Sequence, residues 1–304
     1  MIDRNDAIAP AIIPGDLLMA IRRFLMLLHV DFLPLRDAEP DAAASAEYDA
    51  WLQRIESALE DPDVDRERFC FEILRDIYFP QYAGQALDEV PAAVRLPLLA
   101  LDPRNITLEP EQYAEIDVEK YGRVKPLLWL WQMFDKSILG QNVHLGVRFR
   151  RILARHIFKR CGKNFKCFHF AEFSFGYNME VGDDIVVHRH VLLDDRGGIE
   201  LGDRVSIADY ANIYSHTHSI VDQRDVSNAK TVLEEDVRIT YHATVLAGVC
   251  VGRNAMVGAA AVATRDVRPF HVNVGVPAKS VRVKPSAPPE ASGTTTVDSL
   301  RHSS

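Results

Sequence analysis

From residue 175 onward an apolar side chain recurs at every sixth position. Phe175, Val181, Val187 and Leu193 form one series, Leu201, Ile207 and Ile213 a second, and Leu233, Ile239, Val245, Val251, Val257 and Ala263 a third. The residue four later is usually small or β-branched, as at Ile185, Val205, Ala211, Ala243, Ala255 and Ala261, and Gly often follows the aliphatic position. A period of six fits neither the roughly 3.6 of a helix nor a simple alternation. It is what a chain produces when it makes a short flat strand, turns sharply and repeats. Three hexads close a triangular coil of about eighteen residues, and stacked coils pair their backbones about 4.8 Å apart around a central aliphatic column. The pattern predicts a parallel β-helix.

The breaks in the period are as informative as the period. Between Leu193 and Leu201 the step is eight, so two residues, most simply Gly197 and Gly198, bulge from a corner. Between Ile213 and Leu233 the step is twenty, so about fourteen extra residues project as a loop. This loop lies in "NIYSHTHSIVDQRDVSNAK" and carries His216 and His218. Assigning faces in threes superposes Leu193, Ile213 and Val245, so the loop leaves the prism beside Asp194 and Asp195.

Upstream the periodicity is helical. In "SAEYDAWLQRIESALED" the apolar residues Tyr48, Trp51, Leu52, Ile55 and Leu59 fall on one helix face. Caps or prolines start further helices near Asp65 to Tyr78 and Pro91 to Leu101. The early stretch "GDLLMAIRRFLMLLHVDFLPL" is interrupted by Arg22, Arg23 and Asp31, which suits a buried amphipathic helix better than a spanning one; its alternative is weak contact with a membrane surface. The expected organisation is a helical N-terminal domain over 1–135, a basic helical connector over 136–170, the β-helix over 171–284, and a polar, proline-rich, disordered tail over 285–304.

With 47% hydrophobic and 26% charged residues the 304-residue chain can bury a substantial core, and its net charge of −8 argues against coating nucleic acid. The charge is uneven, however. Lys and Arg recur from Lys136 to Lys166, which reads either as a solvated helix face or as a patch for an anionic membrane or phosphorylated ligand. Cys70, Cys161, Cys167 and Cys250 form no C-x-x-C pair, which fits a reducing cytoplasm and no zinc knuckle.

From Phe175 to Val283 the chain resembles the left-handed β-helix (hexapeptide-repeat) acyltransferases, in particular the galactoside and maltose O-acetyltransferase group. The residues that carry the resemblance are the hexads, the extruded loop and the closing stretch "VLAGVCVGRNAMVGAAAVATRDVRPFHVNVGVPAKSVR", with its G-x-P-A-K/R ending at Gly275, Pro277, Ala278 and Lys279. The resemblance implies an enzyme that moves an acyl group, most simply acetyl from acetyl-CoA, to a hydroxyl or amine of a sugar or other small polar acceptor. It also implies a homotrimer with active sites in the clefts between prisms, and no metal. Laid over the family pattern, the essential histidine falls on His218, the general base of a direct transfer. Such an imidazole takes the acceptor's proton and returns it to the leaving thiolate.

On the acceptor side the resemblance points to Asp194, Asp195, His188, His190 and His216. The cofactor would meet Ala247, Gly248, Ala259 and Ala260 along its pantetheine arm, Thr264 and Arg265 near its nucleotide, and Lys279 and Arg282 at its phosphates. The chain departs from the galactoside type in "VVHRHVLLDD", where histidines replace asparagines, and at Arg238 and Thr240. The two H-x-H pairs, His188/His190 and His216/His218, raise a different class, a γ-class carbonic-anhydrase-like zinc enzyme. A binding or scaffold protein that kept the fold without the chemistry is a third reading.

Overall fold

The computed structural model describes residues 38–222 and 224–289. The apolar stretch over 15–35 and most of the polar tail lie outside the described residues.

The helical part is built on three aspartate caps. Asp41 precedes α1 (Ala42–Glu60), Asp65 precedes α2 (Arg66–Tyr78), and Asp117 precedes α4 (Val118–Lys136), each accepting hydrogen bonds from first-turn N–H groups at 3.0 Å. Pro91 starts α3 (Ala92–Leu101), and two further helices follow, α5 (Ile138–Gln141) and α6 (Val143–Ile157). The three helices read from the pattern are present, with Leu52, Ile55 and Leu59 buried as expected. The pattern did not single out α4, because it carries apolar residues all round: Tyr121, Val124, Leu127, Leu128, Leu130, Trp131 and Phe134 are all buried. A helix of that kind belongs in the middle of a core rather than on its surface.

Strands begin at Arg160 and wind into three parallel sheets that form the faces of a prism. The first face stacks Arg160–Cys161, Met179–Val181, Ile199–Leu201, Thr231–Leu233 and Cys250–Val251. The second stacks Lys166–Cys167, Val186–Val187, Ser206–Ile207, Arg238–Ile239, Met256–Val257 and His271–Val274, and the antiparallel strand Lys279–Val283 closes it. The third stacks Glu172–Phe173, Leu192–Asp194, Asn212–Tyr214, Thr244–Val245 and Val262–Ala263. All thirteen hexad positions are buried, twelve of them at 1% exposure or less and Ala263 at 2%. The ladder pairs Leu193 with Ile213 and Ile213 with Val245, as the face assignment requires.

One boundary and one face position differ from the sequence reading. The β-helix starts inside the stretch read as a connector, with a first coil of Cys161, Cys167 and Phe173 whose ladder partners are Val181, Val187 and Leu193. The third-face position is thus Phe173, while Phe175 sits in a bulged corner beside Gly176, whose φ is +75°. An eight-residue step from Phe173 to Val181, identical to the later step from Leu193 to Leu201, hides the first coil from a strict count of six.

The basic stretch is partly solvated, with Lys136, Arg155, Lys159, Arg160 and Lys163 exposed, and partly engaged in pairs. Arg148 pairs with Asp49 at 2.6 Å, Arg155 with Glu56 at 2.7 Å and Lys159 with Glu180 at 2.9 Å, while Arg151 donates to the Phe165 carbonyl at 2.8 Å. Arg150, 1% exposed, donates to Asp135 at 2.5 and 2.7 Å and to the Gly140 carbonyl at 2.8 Å. The other oxygen of Asp135 accepts the Phe170 N–H at 2.6 Å. This buried pair joins α4 and α6 to the first coil, and helices and coils share one continuous hydrophobic core.

Removing one partner of a buried pair strands the other charge, which costs about 3–5 kcal/mol. Arg150→Leu is therefore expected to lower the urea-unfolding free energy by about that amount. A loss below about 1 kcal/mol would show that the pair is not an anchor.

Candidate active site

The corner between the third and first faces is where the chain leaves the hexad plan. After Leu192–Asp194 it makes the Asp195 to Gly198 bulge; after Asn212–Tyr214 it runs out through the antiparallel hairpin of His216–His218 with Val226–Asn228. Both glycines of the bulge are required. Gly198 has φ +96°, and a Cβ on Gly197 would lie 2.2 Å from the Ser215 carbonyl oxygen and 2.7 Å from the Ala229 nitrogen. The neck of the loop thus closes directly over Gly197, whose N–H donates to Ser215 Oγ at 2.8 Å.

Asp194 organises this corner. Its Oδ1 accepts from Ser174 Oγ at 2.7 Å, and its Oδ2 faces the Ser215 N–H at 3.4 Å and the Nδ1 of His216 in a short contact. Ser215 Oγ also donates to the Asp194 carbonyl at 2.5 Å. Because a carboxylate only accepts, the proton lies on His216 Nδ1, and the Nε2 lone pair remains available. The His218 ring stands edge-on to that of His216, with centroids 5.3 Å apart, and His218 is exposed.

Two cavities meet at this histidine pair. The larger, about 990 Å³, is lined by His216, His218 and Asp194, and by Glu109, Glu115, Glu172, Asp225, Arg196 and Arg224. Both arginines are engaged, Arg196 with Glu115 and Arg224 with Asp222. The wall consequently carries an excess of carboxylate. The smaller cavity, about 390 Å³, is bounded by Tyr214, His216, Thr217 and His218 on one side and Leu246, Ala247 and Thr264 on the other.

The other expected residues distribute as follows. Asp195 is fully buried, and its oxygens accept the N–H groups of Phe175 at 2.7 Å and Asn178 at 3.1 Å. It holds the corner together and does not line either cavity, which corrects its expected acceptor contact. Within one chain His188 and His190 lie away from that corner. His190 has φ +56° and stacks between Phe170 and Tyr210 at 5.0 and 4.7 Å, and His188 stacks on Phe168 at 5.1 Å, at the corner between the second and third faces. The two H-x-H pairs thus lie at different corners, and among the described residues no group of three or more His, Cys, Asp or Glu is placed to hold a metal ion.

Gly248 (φ +77°) and Arg265 adjoin Ala247 and Thr264 at the histidine corner. Ala259 and Ala260 lie at the corner of His190, while Lys279 and Arg282 are exposed on the closing strand.

Sequence reasoning missed the helical side of the larger cavity. Arg196, 8% exposed, lies 4.0 Å from the Tyr113 ring centroid and its Nε donates to Glu115 at 2.6 Å. Burial works against the Glu115 carboxylate, but its own N–H, Arg196 and Asn228 of the loop outweigh this and hold the carboxyl below its usual range. Glu115 thereby ties the helical segment to both the bulge and the histidine loop. No spacing signals this contact, since its partners are 81 residues apart.

The chain is 26% identical to the galactoside O-acetyltransferase of Escherichia coli strain K12, over 45% of this chain and 69% of the relative. It is 29% identical to the galactoside O-acetyltransferase of Lactococcus lactis, over 55% of this chain and 81% of the relative. Among solved structures, a galactoside acetyltransferase in complex with coenzyme A superposes with a TM-score of 0.50 at 22% identity, covering 56% of this chain and 84% of that one. No family model matches. Sequence and fold agree with the resemblance carried by the hexads and the closing segment: the chain is a parallel β-helix whose fold matches that of the left-handed β-helix acetyltransferases.

Burial pushes the Asp195 carboxyl up to about 6 against the backbone N–H groups that favour its charged form. The folded state then binds this proton more tightly than the unfolded one, so the stability it confers is present below about pH 4 and is lost as the pH rises through 6. Referenced to Asp195→Asn, the wild-type unfolding free energy is expected to fall by up to about 3 kcal/mol across that window in chemical denaturation. A difference that is flat with pH would contradict the raised value.

Proposed function

We propose that the protein transfers an acyl group, most simply acetyl, from a coenzyme A thioester to a hydroxyl or amine of a sugar or other small polar acceptor, with His218 as general base. The observation that carries this is the position of His216 and His218 at the meeting of a carboxylate-rich cavity and a smaller one bounded by Leu246, Ala247 and Thr264. The acceptor occupies the first, where Asp194 and its neighbours accept hydrogen bonds from hydroxyl or amine donors and the excess of carboxylate disfavours an anionic acceptor. The thioester enters the second. The solved relative that shares the fold was crystallised with coenzyme A, which supports a coenzyme A thioester as co-substrate.

The acceptor oxygen or nitrogen attacks the thioester carbonyl as His218 removes its proton. The tetrahedral adduct collapses, the C–S bond breaks, and the proton passes to the departing thiolate. His216, fixed through Nδ1 by Asp194, orients the partner ring and the acceptor. A second reading is favoured by that same pairing, because a carboxylate-held imidazole with its Nε2 lone pair available is itself a general base.

The cofactor residues at the His190 corner and on the closing strand do not reach the smaller cavity within one chain. Their separation fits a cleft between two copies in a homotrimer, where Ala259, Ala260, Lys279 and Arg282 of one copy meet the histidine corner of the next. We assign the enzyme to the cytoplasm on its four free cysteines; no helix among the described residues is long and apolar enough to cross a membrane.

Steady-state thiol release from acetyl-coenzyme A separates the two readings. His218→Ala is expected to lower kcat by about 10²- to 10⁴-fold with folding intact, and His216→Ala to act less severely. Near-normal turnover in His218→Ala with collapse in His216→Ala transfers the base role to His216, and near-normal turnover in both rejects acyl transfer at this pair.

A further inference from the structure

A third cavity opens off the acceptor side and is not used by the chemistry proposed above. It measures about 310 Å³ and lies between the helices and the first two coils. Its wall is mainly apolar, from Leu108, Pro110, Tyr121, Leu128, Phe170 and Phe173. It shares Glu109, Tyr113, Glu172, Ser174 and Leu192 with the larger acceptor cavity, so the two are contiguous. Ser174 marks how near this is to the reacting centre, because its hydroxyl donates to Asp194 at 2.7 Å.

One polar group in this wall has no partner. Tyr121 is 3% exposed, and its buried hydroxyl makes no hydrogen bond among the described residues. A buried hydroxyl without a partner costs stability that a closed core would avoid, and the residue that carries it lines a cavity large enough for a ligand. The volume is about twice the ~150 Å³ that holds a benzene ring.

Resting on the acyl-transfer reading, we infer that this cavity is a subsite for an apolar extension of the acceptor. The acceptor is then amphipathic: a polar head that presents its hydroxyl or amine to the histidine pair, joined to a ring-sized apolar group that lies against Phe170, Phe173 and Leu128. One acceptor atom on that group takes the Tyr121 hydroxyl. The helical region supplies most of this wall, so it selects the acceptor while the β-helix carries the chemistry.

The test uses the full chain with methyl and 4-nitrophenyl β-D-galactopyranoside, measuring binding by calorimetry and thiol release from acetyl-coenzyme A. The nitrophenyl glycoside is expected to bind at least about tenfold more tightly, the scale of burying one ring. Gln132→Trp, a half-buried position in the wall, is expected to remove that gain and leave the methyl glycoside unaffected. Tyr121→Phe weakens only the nitrophenyl glycoside, by about three- to tenfold. Equal affinities, no binding of either glycoside, or a gain that survives Gln132→Trp overturns the subsite. Absence of thiol release with both glycosides while the binding preference stands overturns acyl transfer and leaves the subsite. Thiol release at equal KM for both overturns the subsite and leaves acyl transfer.

Discussion

The carboxylate of Asp194 joins three successive turns of one corner by binding Ser174 from the coil before its own, and Ser215 and His216 from the coil after it. Parallel pairing holds Asp194 level with Tyr214, so the residue that follows Tyr214 meets the Asp194 carbonyl, and the next meets its side chain. A loop thrown out at any other corner would leave these groups without an acceptor. The stacked ladder therefore does more than bury aliphatic residues. It fixes where a histidine can be presented, and the neighbouring Asp195 carboxylate holds the corner of the preceding coil by capping the N–H groups of Phe175 and Asn178.

The helices extend this corner into a site. Asp135 and Arg150 bind the first coil, and Glu115 and Arg196 bind the bulge and reach the loop through Asn228. Each anchor is a charge-assisted contact in a largely buried setting, where geometry matters more than net energy. Together they place a helical wall opposite the histidines. A bare β-helix would present that side as an open groove.

The repeating part of the fold was legible because a coil that must bury the same three faces on every turn leaves an apolar residue at every sixth position. The loop and bulge were legible as steps of twenty and eight in that count. The first coil escaped because Cys161 and Cys167 are weak hydrophobic signals and because the bulge after Phe173 shifts the register onto Phe175. At the site, His216, His218, Asp194, Ala247 and Thr264 do come together at one corner. His188 and His190 do not, because His190 takes the left-handed corner conformation and stacks in a column with Tyr210 and His242. Asp195 faces inward where Asp194 faces the cavity, a distinction that two adjacent aspartates cannot announce. The Glu115 and Arg196 contact joins regions with different periodicities, and no spacing rule connects them.

The most direct test is a crystal structure of the protein with coenzyme A bound. The expected result is the thiol in the smaller cavity between Tyr214, Ala247 and Thr264, beside the His216 and His218 pair and facing the carboxylate-rich cavity. Coenzyme A bound with its thiol away from that corner would contradict the assignment of the two cavities and of the histidines that join them.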